Sequence, residues 1–214
     1  MPIDISKDFL IQSAHQLSKD YPSLRIKAVC GDYSAPLLLP VEEKQKKVIF
    51  FPGSTIGNFH PQEAADFLQQ SSQLLEKGDG FLIGIDTKKE AHVLHAAYND
   101  QAGITAQFNL NILRHINGSL NGTFDVDLFE HVAFYNEQQG RIEMHLKSRI
   151  DQIVTIADQR FTFKKGETIH TENSYKYSQE EFQWLAKQNG FTPIRCFTDP
   201  QHHFSVHYLE KTRV

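Results

Sequence analysis

Residues 47–86 read KVIFFPGSTIGNFHPQEAADFLQQSSQLLEKGDGFLIGID. From Lys47 the chain is continuously apolar to Phe51 and then stops at Pro52-Gly53. Residues 61–75 place Ala64, Phe67, Leu68 and Leu75 on one face of a 3.6-residue period, and Gly78 and Gly80 end that pattern. A second apolar run over 81–85 ends at Asp86. Apolar runs without polar alternation are what strands covered on both faces require. Strand, helix, strand at this spacing predicts two parallel strands joined by a crossover helix.

The same rhythm extends toward the N-terminus. Residues 2–5 read as a short strand. Ser6 opens a helix with Leu10, Ala14, Leu17 and Tyr21 at helical spacing, stopped by Pro22, and 25–30 reads as a strand ending in Gly31-Asp32. Beyond Asp86 the alternation breaks. Residues 90–98 and 104–116 read as successive helices, and 129–135, 141–150 and 159–163 as antiparallel strands with a hairpin turn at 136–140. The parallel rhythm returns with a capping box at Ser178 and Glu181, a helix ended by Asn189-Gly190, and apolar runs 194–197 and 204–209 suited to a closing hairpin. The expectation is an α/β protein with a doubly wound Rossmann-like sheet, formed by 1–89 and 175–214, and an inserted α+β lobe over 90–174.

Composition narrows the class. Of the 214 residues 40% are hydrophobic and 22% charged, so the chain carries enough apolar side chains to form a core. The net charge is −4 and Lys and Arg are scattered, so no basic stripe marks a nucleic-acid partner. No apolar run approaches the roughly 20 residues that span a bilayer, and no apolar signal region opens the chain, so a cytoplasmic protein with no membrane partner is expected. Cys30 and Cys196 lie in apolar stretches and are expected to be buried free thiols. The His92/His95 pair and the His202, His203, His207 group lack an accompanying Cys or carboxylate set, so no metal site is expected.

Candidate chemistry falls at strand ends. Asp4, Asp32 and Asp86 each follow a predicted parallel strand, on the sheet edge where open α/β folds bind ligands. A carboxylate there accepts from ribose hydroxyls or an adenine amino group; equally, an acid after a strand caps the next turn. The small residues of Pro52-Gly53-Ser54-Thr55-Ile56-Gly57-Asn58 would let a ligand approach the backbone, or form an ordinary strand-to-helix loop. Glu172 and Ser174 sit two apart at the end of a predicted strand and therefore share a face. Such a pair can satisfy both nitrogens of an imidazole, or simply face solvent.

Five segments taken together carry a resemblance. They are 51–59 (FPGSTIGNF), 97–100 (AYND), Phe108-Asn109, 141–146 (RIEMHL) and 170–176 (HTENSYK). In order and spacing they resemble the histidine-specific Nα-methyltransferases that start ergothioneine synthesis, over essentially the whole chain. The resemblance implies a class I methyltransferase fold with S-adenosylmethionine as cofactor, and stepwise transfer of three methyl groups to the α-amino group of L-histidine to give hercynine. It implies that Asn58 and Tyr98 hold the substrate carboxylate, that Glu172 and Ser174 read the imidazole, and that Phe108 and Met144 wall the pocket. It further implies that Asp4 binds the ribose, Asp32 and Tyr33 the adenine, and Gly53 and Thr55 the methionine portion of the cofactor. Elementary chemistry agrees with that assignment. Displacement at a sulfonium methyl needs a neutral amine and alignment, and orientation alone supplies roughly 7–11 kcal/mol of barrier lowering. No strong base is needed, because an α-amine with a pKa near 8 is already about 10% neutral at pH 7.

Relative to that family the chain reads as N-terminally truncated: Met1 stands at the start of the family's second strand, and no Gly-x-Gly loop follows a strand. The absent strand would lie centrally, between the strands at Pro2 and Lys47. The chain is then expected to be a fragment of a longer product, to close the gap by pairing the neighbouring strands, or to be completed by a second copy. Two other readings stand beside the leading one: a truncated inactive paralogue that binds a small ligand or a partner chain, and a methyltransferase for another amino acid.

Overall fold

The computed structural model describes residues 1–33, 35 and 46–212. β1 (Ile3–Asp4) leads into α1 (Lys7–Asp20) and returns as β2 (Val29–Cys30), which pairs with β1 in parallel. β3 (Val48–Phe51) and β4 (Gly80–Asp86) are also parallel and are joined by α2 (Pro61–Gln73). The crossover unit expected from 47–86 is therefore present. α2 begins with Pro61, whose missing N–H costs nothing in a first turn, and the Glu63 carboxylate accepts the His60 backbone N–H at 2.7 Å. The face carrying Ala64, Phe67 and Leu68 is buried against the sheet.

The inserted segment contains α3 (Ala91–Tyr98), α4 (Ile104–Leu120), β5 (Phe129–Asn136), β6 (Arg141–Ser148), β7 (Gln152–Ile156), β8 (Gln159–Phe163) and β9 (Thr168–Tyr175). β5, β6 and β9 form an antiparallel sheet in the order β5-β6-β9, and β7 and β8 form a separate hairpin. α5 (Gln179–Gln188) and the antiparallel pair β10 (Phe191–Thr198) and β11 (Phe204–Lys211) complete the chain, with β11 lying between β4 and β10. Ser178 caps α5 as its sequence requires: its hydroxyl accepts the Glu181 N–H while the Glu181 carboxylate accepts the Ser178 N–H.

Three hydrophobic clusters hold these layers. The four-stranded sheet packs Phe81, Ile83 and Ile85 against Phe67 and Leu68 of α2 and Phe182 of α5. Leu113 of α4 packs on Phe129 and Leu146, and Leu94 of α3 on Ala133, Ile142 and Met144. Each large side chain so buried contributes about 1.5–3 kcal/mol relative to exposure. The two connections between the four-stranded sheet and the inserted segment run side by side. Thr87 bridges Tyr177, the Tyr177 N–H donates to the Asp86 carbonyl, and the Lys88 N–H donates to the Tyr177 carbonyl. The end of β4 and the exit of β9 are thereby fixed against one another.

Several expectations need correction. These corrections are local, for the expected Rossmann-like architecture is kept as the parallel β1–β2 pair and the four-stranded mixed sheet β10-β11-β4-β3. Among the described residues no pairing joins β1 to β3, so the strands flanking the expected gap do not close on each other. The strand read over 25–30 is reduced to Val29–Cys30, and Cys30 is exposed rather than buried. The strand read over 141–150 ends at Ser148, and β7 follows it.

Candidate functional site

The loop after β3 is shaped by its neighbours. A Cβ on Gly84 of β4 would stand 2.0 Å from the Pro52 carbonyl oxygen, so the loop crosses β4 at a distance only glycine permits. Ser54 adopts φ 56°, and its hydroxyl accepts the Asp86 N–H at 2.7 Å. A 3₁₀ turn over Thr55–Asn58 follows, with Ile56 fully buried and Gly57 pressed against Tyr175. A Cβ on Gly57 would lie 3.7 Å from the Ser174 hydroxyl. The loop that carries Asn58 is thus seated on the end of β9.

On β9, Glu172 lies opposite Met144 and Ser174 opposite Ile142, so the two share a sheet face as their spacing predicts. A bulge between Met144 and His145, stabilised by the Thr171 hydroxyl donating to the Met144 carbonyl at 3.0 Å, sets His170 opposite His145 instead. Tyr98, the last residue of α3, packs its ring on the Leu94–Ala133–Ile142–Met144 cluster and brings its hydroxyl to 2.8 Å from the Ser174 Oγ. Tyr98 and Ser174 are therefore in direct contact. Glu172 is half-buried, and its carboxylate has no hydrogen-bond partner among the described residues. Burial raises the Glu172 carboxyl above its ordinary range, and the charge of Lys176 offsets part of that rise.

Lys176, to which the sequence patterns assign no role, lies at the centre of this group. Its side chain has no solvent exposure, and its Nζ donates to Ser174 Oγ at 2.7 Å, Tyr98 Oη at 2.9 Å and Asp86 Oδ2 at 2.6 Å. Asp86 also accepts from Lys89 Nζ at 2.5 Å. Both oxygens of Asp86 are thus engaged by lysines, and this strand-end acid serves the ion-pair network rather than a ribose. One signal in the sequence does point to it: Lys176 continues the alternation of Glu172 and Ser174.

The remaining expected positions divide. Met144 is buried on β6 directly opposite Glu172. Phe108 is 63% exposed on α4 and makes no ring contact with Tyr98 among the described residues. Asn58 is exposed, with no side-chain hydrogen bond among them. Near β1 and β2, the Tyr33 ring meets Phe51 edge-on at 5.6 Å, and burial raises its hydroxyl pKa, helped by the charges of Asp4 and Asp32. Those charges place both acids close to the phenol. Asp4 Oδ1 accepts the Ser6 N–H at 2.7 Å, so this acid caps its turn and keeps Oδ2 for another donor. Gly53 and Thr55 adjoin one another in the loop. Two open cavities lie elsewhere, about 280 Å³ beside Ile11, His15 and Ile26, and about 490 Å³ beside Glu130, Lys147 and Gly166.

On the opposite face of the β5-β6-β9 sheet, ligand-type atoms of Glu143, His145 and His170 lie within 4.8 Å of one another. This set fits a metal poorly. The Glu143 Oε1 accepts from Arg141 and Asn136, and the two imidazoles stack at 4.4 Å with planes only 16° apart, so their in-plane lone pairs do not converge. Burial pushes the Glu143 carboxyl up, but the Arg141 guanidinium, with Asn136 and His145, outweighs it and holds the pKa at about 2.

Comparison with known proteins is consistent with this geometry. Residues 1–211 match the family described as histidine-specific, SAM-dependent methyltransferases. The chain is 36% identical over 208 residues to a histidine N-alpha-methyltransferase of Mycolicibacterium smegmatis, covering 96% of this chain and 64% of that protein. It is 36% identical over 213 residues to one from Mycobacterium tuberculosis, covering 99% and 66%. The chain thus spans just under two thirds of the length of these relatives. An S-adenosylmethionine-dependent methyltransferase structure from Clostridium acetobutylicum ATCC 824 aligns with a TM-score of 0.52 at 12% identity, covering 99% of this chain and 74% of that one. At that identity the likeness is one of fold, the Rossmann-like class I methyltransferase fold.

Proposed function

Because the chain belongs to the histidine-specific, S-adenosylmethionine-dependent methyltransferases, we propose that it transfers methyl groups from that cofactor to the α-amino group of L-histidine, giving hercynine. The observation that carries the reading is the contact of Tyr98 Oη with Ser174 Oγ at 2.8 Å, across 76 residues of sequence and on the sheet face that also bears Glu172. In this reading Glu172 and Ser174 hold the imidazole, and Tyr98 and Asn58 the substrate carboxylate. Met144 and Phe108 form the wall. A side chain without ring nitrogens would leave Glu172 or Ser174 unpaired, at a cost of about 1–3 kcal/mol each.

The cofactor side is supported by its donor set. Asp4 retains a carboxylate oxygen for a ribose hydroxyl, Asp32 and Tyr33 stand beside it for the adenine, and Gly53 and Thr55 lie on the loop that leads to Asn58. When bound, the cofactor supplies an electrophilic methyl group on a sulfonium. The protein's own contribution is alignment of the amine and exclusion of competing side chains, which requires neither a strong base nor a metal-bound group. We assign cofactor binding to 1–89 with 175–214 and substrate recognition to 90–174. No helix among the described residues is long and apolar enough to cross a membrane, and we place the protein in the cytoplasm.

Incubation of the full chain with S-adenosylmethionine and each free amino acid tests the reading. Histidine is expected to be methylated fastest, and faster methylation of any other amino acid overturns the assignment.

A further inference from the structure

Lys176 has three N–H bonds, and all three are used: on Asp86 Oδ2, Ser174 Oγ and Tyr98 Oη. An ammonium donates and never accepts. The two hydroxyls it contacts also bond to each other at 2.8 Å. Between them they own two hydrogens. One is consumed by their mutual bond, whichever direction that bond runs, and Lys176 cannot take the other. The pair must therefore direct one hydrogen outward.

We infer that Lys176 is a specificity-determining positioning residue, one that fixes the Tyr98–Ser174 pair as a net hydrogen-bond donor beside the Glu172 acceptor. This rests on the function proposed above and extends it to the form of ring the site takes. One outward donor next to one carboxylate matches a ring with one bare nitrogen and one N–H, the neutral imidazole. A ring without a bare nitrogen leaves the outward hydroxyl hydrogen unpaired. A doubly protonated imidazolium sets an N–H against it.

Lys176 acts on selectivity because it removes the alternative. Without an obligate donor, either hydroxyl can turn its lone pairs toward the ligand, and the preference for a ring acceptor relaxes. Replacing Lys176 leaves Asp86 paired with Lys89 at 2.5 Å, so Lys176→Met does not strand a lone carboxylate.

The test is isothermal titration of the full chain, with S-adenosylhomocysteine present, against histidine and against pyrrol-2-ylalanine, which keeps a ring N–H and lacks the bare nitrogen. The wild type is expected to prefer histidine. In Lys176→Met that preference should shrink on the order of tenfold, the equivalent of about 1.4 kcal/mol. Tyr98 Oη donates to Ser174 Oγ, so the outward hydrogen is the serine's, and Ser174→Ala, which removes it while leaving Lys176 in place, should shrink the preference similarly. A purely structural lysine would weaken both ligands together, so an unchanged ratio in folded Lys176→Met overturns the inference whatever the loss of affinity. Should Lys176→Met fail to fold, an unchanged ratio in Ser174→Ala overturns it equally. A wild type that binds the analogue and not histidine overturns the proposed function itself, and this inference with it.

Discussion

Gly57 meets the Tyr175 carbonyl so closely that a Cβ placed on it would stand 2.8 Å from that oxygen. Because the obstacle is backbone at the end of β9, it cannot swing aside as a side-chain tip would. Gly57→Ala is expected to destabilise the protein by about 1–3 kcal/mol and to push Asn58 away from the Tyr98–Ser174 group, raising the KM for histidine. Gly118 provides the control. It lies in α4 with nothing within 4 Å of the place a methyl group would occupy, so Gly118→Ala should leave KM unchanged and stabilise by roughly 0.5–1 kcal/mol. Thermal melts and steady-state kinetics of both variants check the pair.

Glu172 should show a conflict between stability and binding. Burial raises its folded pKa above the unfolded value, so its contribution to stability is complete below the ordinary glutamate pKa and is lost as pH rises through the raised value. At pH 7 the ionised group is a burden that ligand binding relieves. Glu172→Gln is therefore expected to raise the Tm at pH 7 and to weaken histidine binding by tenfold or so, a loss of about 1.4 kcal/mol. A lower Tm with unchanged affinity would contradict the role given to this residue.

Legibility in the sequence followed local physics. The helical stretches of α2 to α5 and the Glu172–Ser174 alternation depend on neighbours in sequence, and the structure keeps them. β7 was missed, although β8 matches the strand read over 159–163, because their hairpin turns at Ala157 and Asp158, both at positive φ, without the glycine that normally announces such a turn. Asp86 read like Asp4 and Asp32 because an acid at a strand end looks the same whether it awaits a ligand or a lysine 90 residues away. The exposure of Phe108 likewise depends on which side of α4 meets β5 and β6, a tertiary choice made by Asn109 and Leu113.

The Arg141–Glu143 pair should set part of the acid limit. With the folded Glu143 pKa at about 2 and the unfolded value near 4.5, the stabilisation is complete above the unfolded value and is lost as pH falls toward 2. Side-chain exposures of 15% and 9% leave little solvent to screen the pair. Arg141→Met takes the guanidinium from the buried carboxylate, which keeps only Asn136 and His145, and is expected to cost about 3 kcal/mol at pH 7. The acid-unfolding midpoint should move upward as well, which circular dichroism across a pH series would record.

His207 acts in a higher pH window. It is fully buried on β11, with Nε2 at 3.0 Å from Ser205 Oγ and Nδ1 without a partner among the described residues. Burial lowers its pKa to about 4 from the ordinary 6.5. The folded protein therefore binds fewer protons than the unfolded chain between those values, and stability rises with pH across that range. Nothing is lost above the unfolded value. As pH falls from about 6.5 to 4, roughly 2–4 kcal/mol should disappear, before most carboxylates begin to protonate. His207→Phe puts a non-titrating ring against Phe182, which the imidazole already contacts at 4.8 Å between centroids. The variant is expected to lose about 1 kcal/mol at pH 7, where Ser205 Oγ loses its partner, and to lose markedly less than the wild type between pH 7 and pH 5. Urea unfolding at those two pH values decides it, and parallel losses in both proteins would show that the imidazole does not carry the effect.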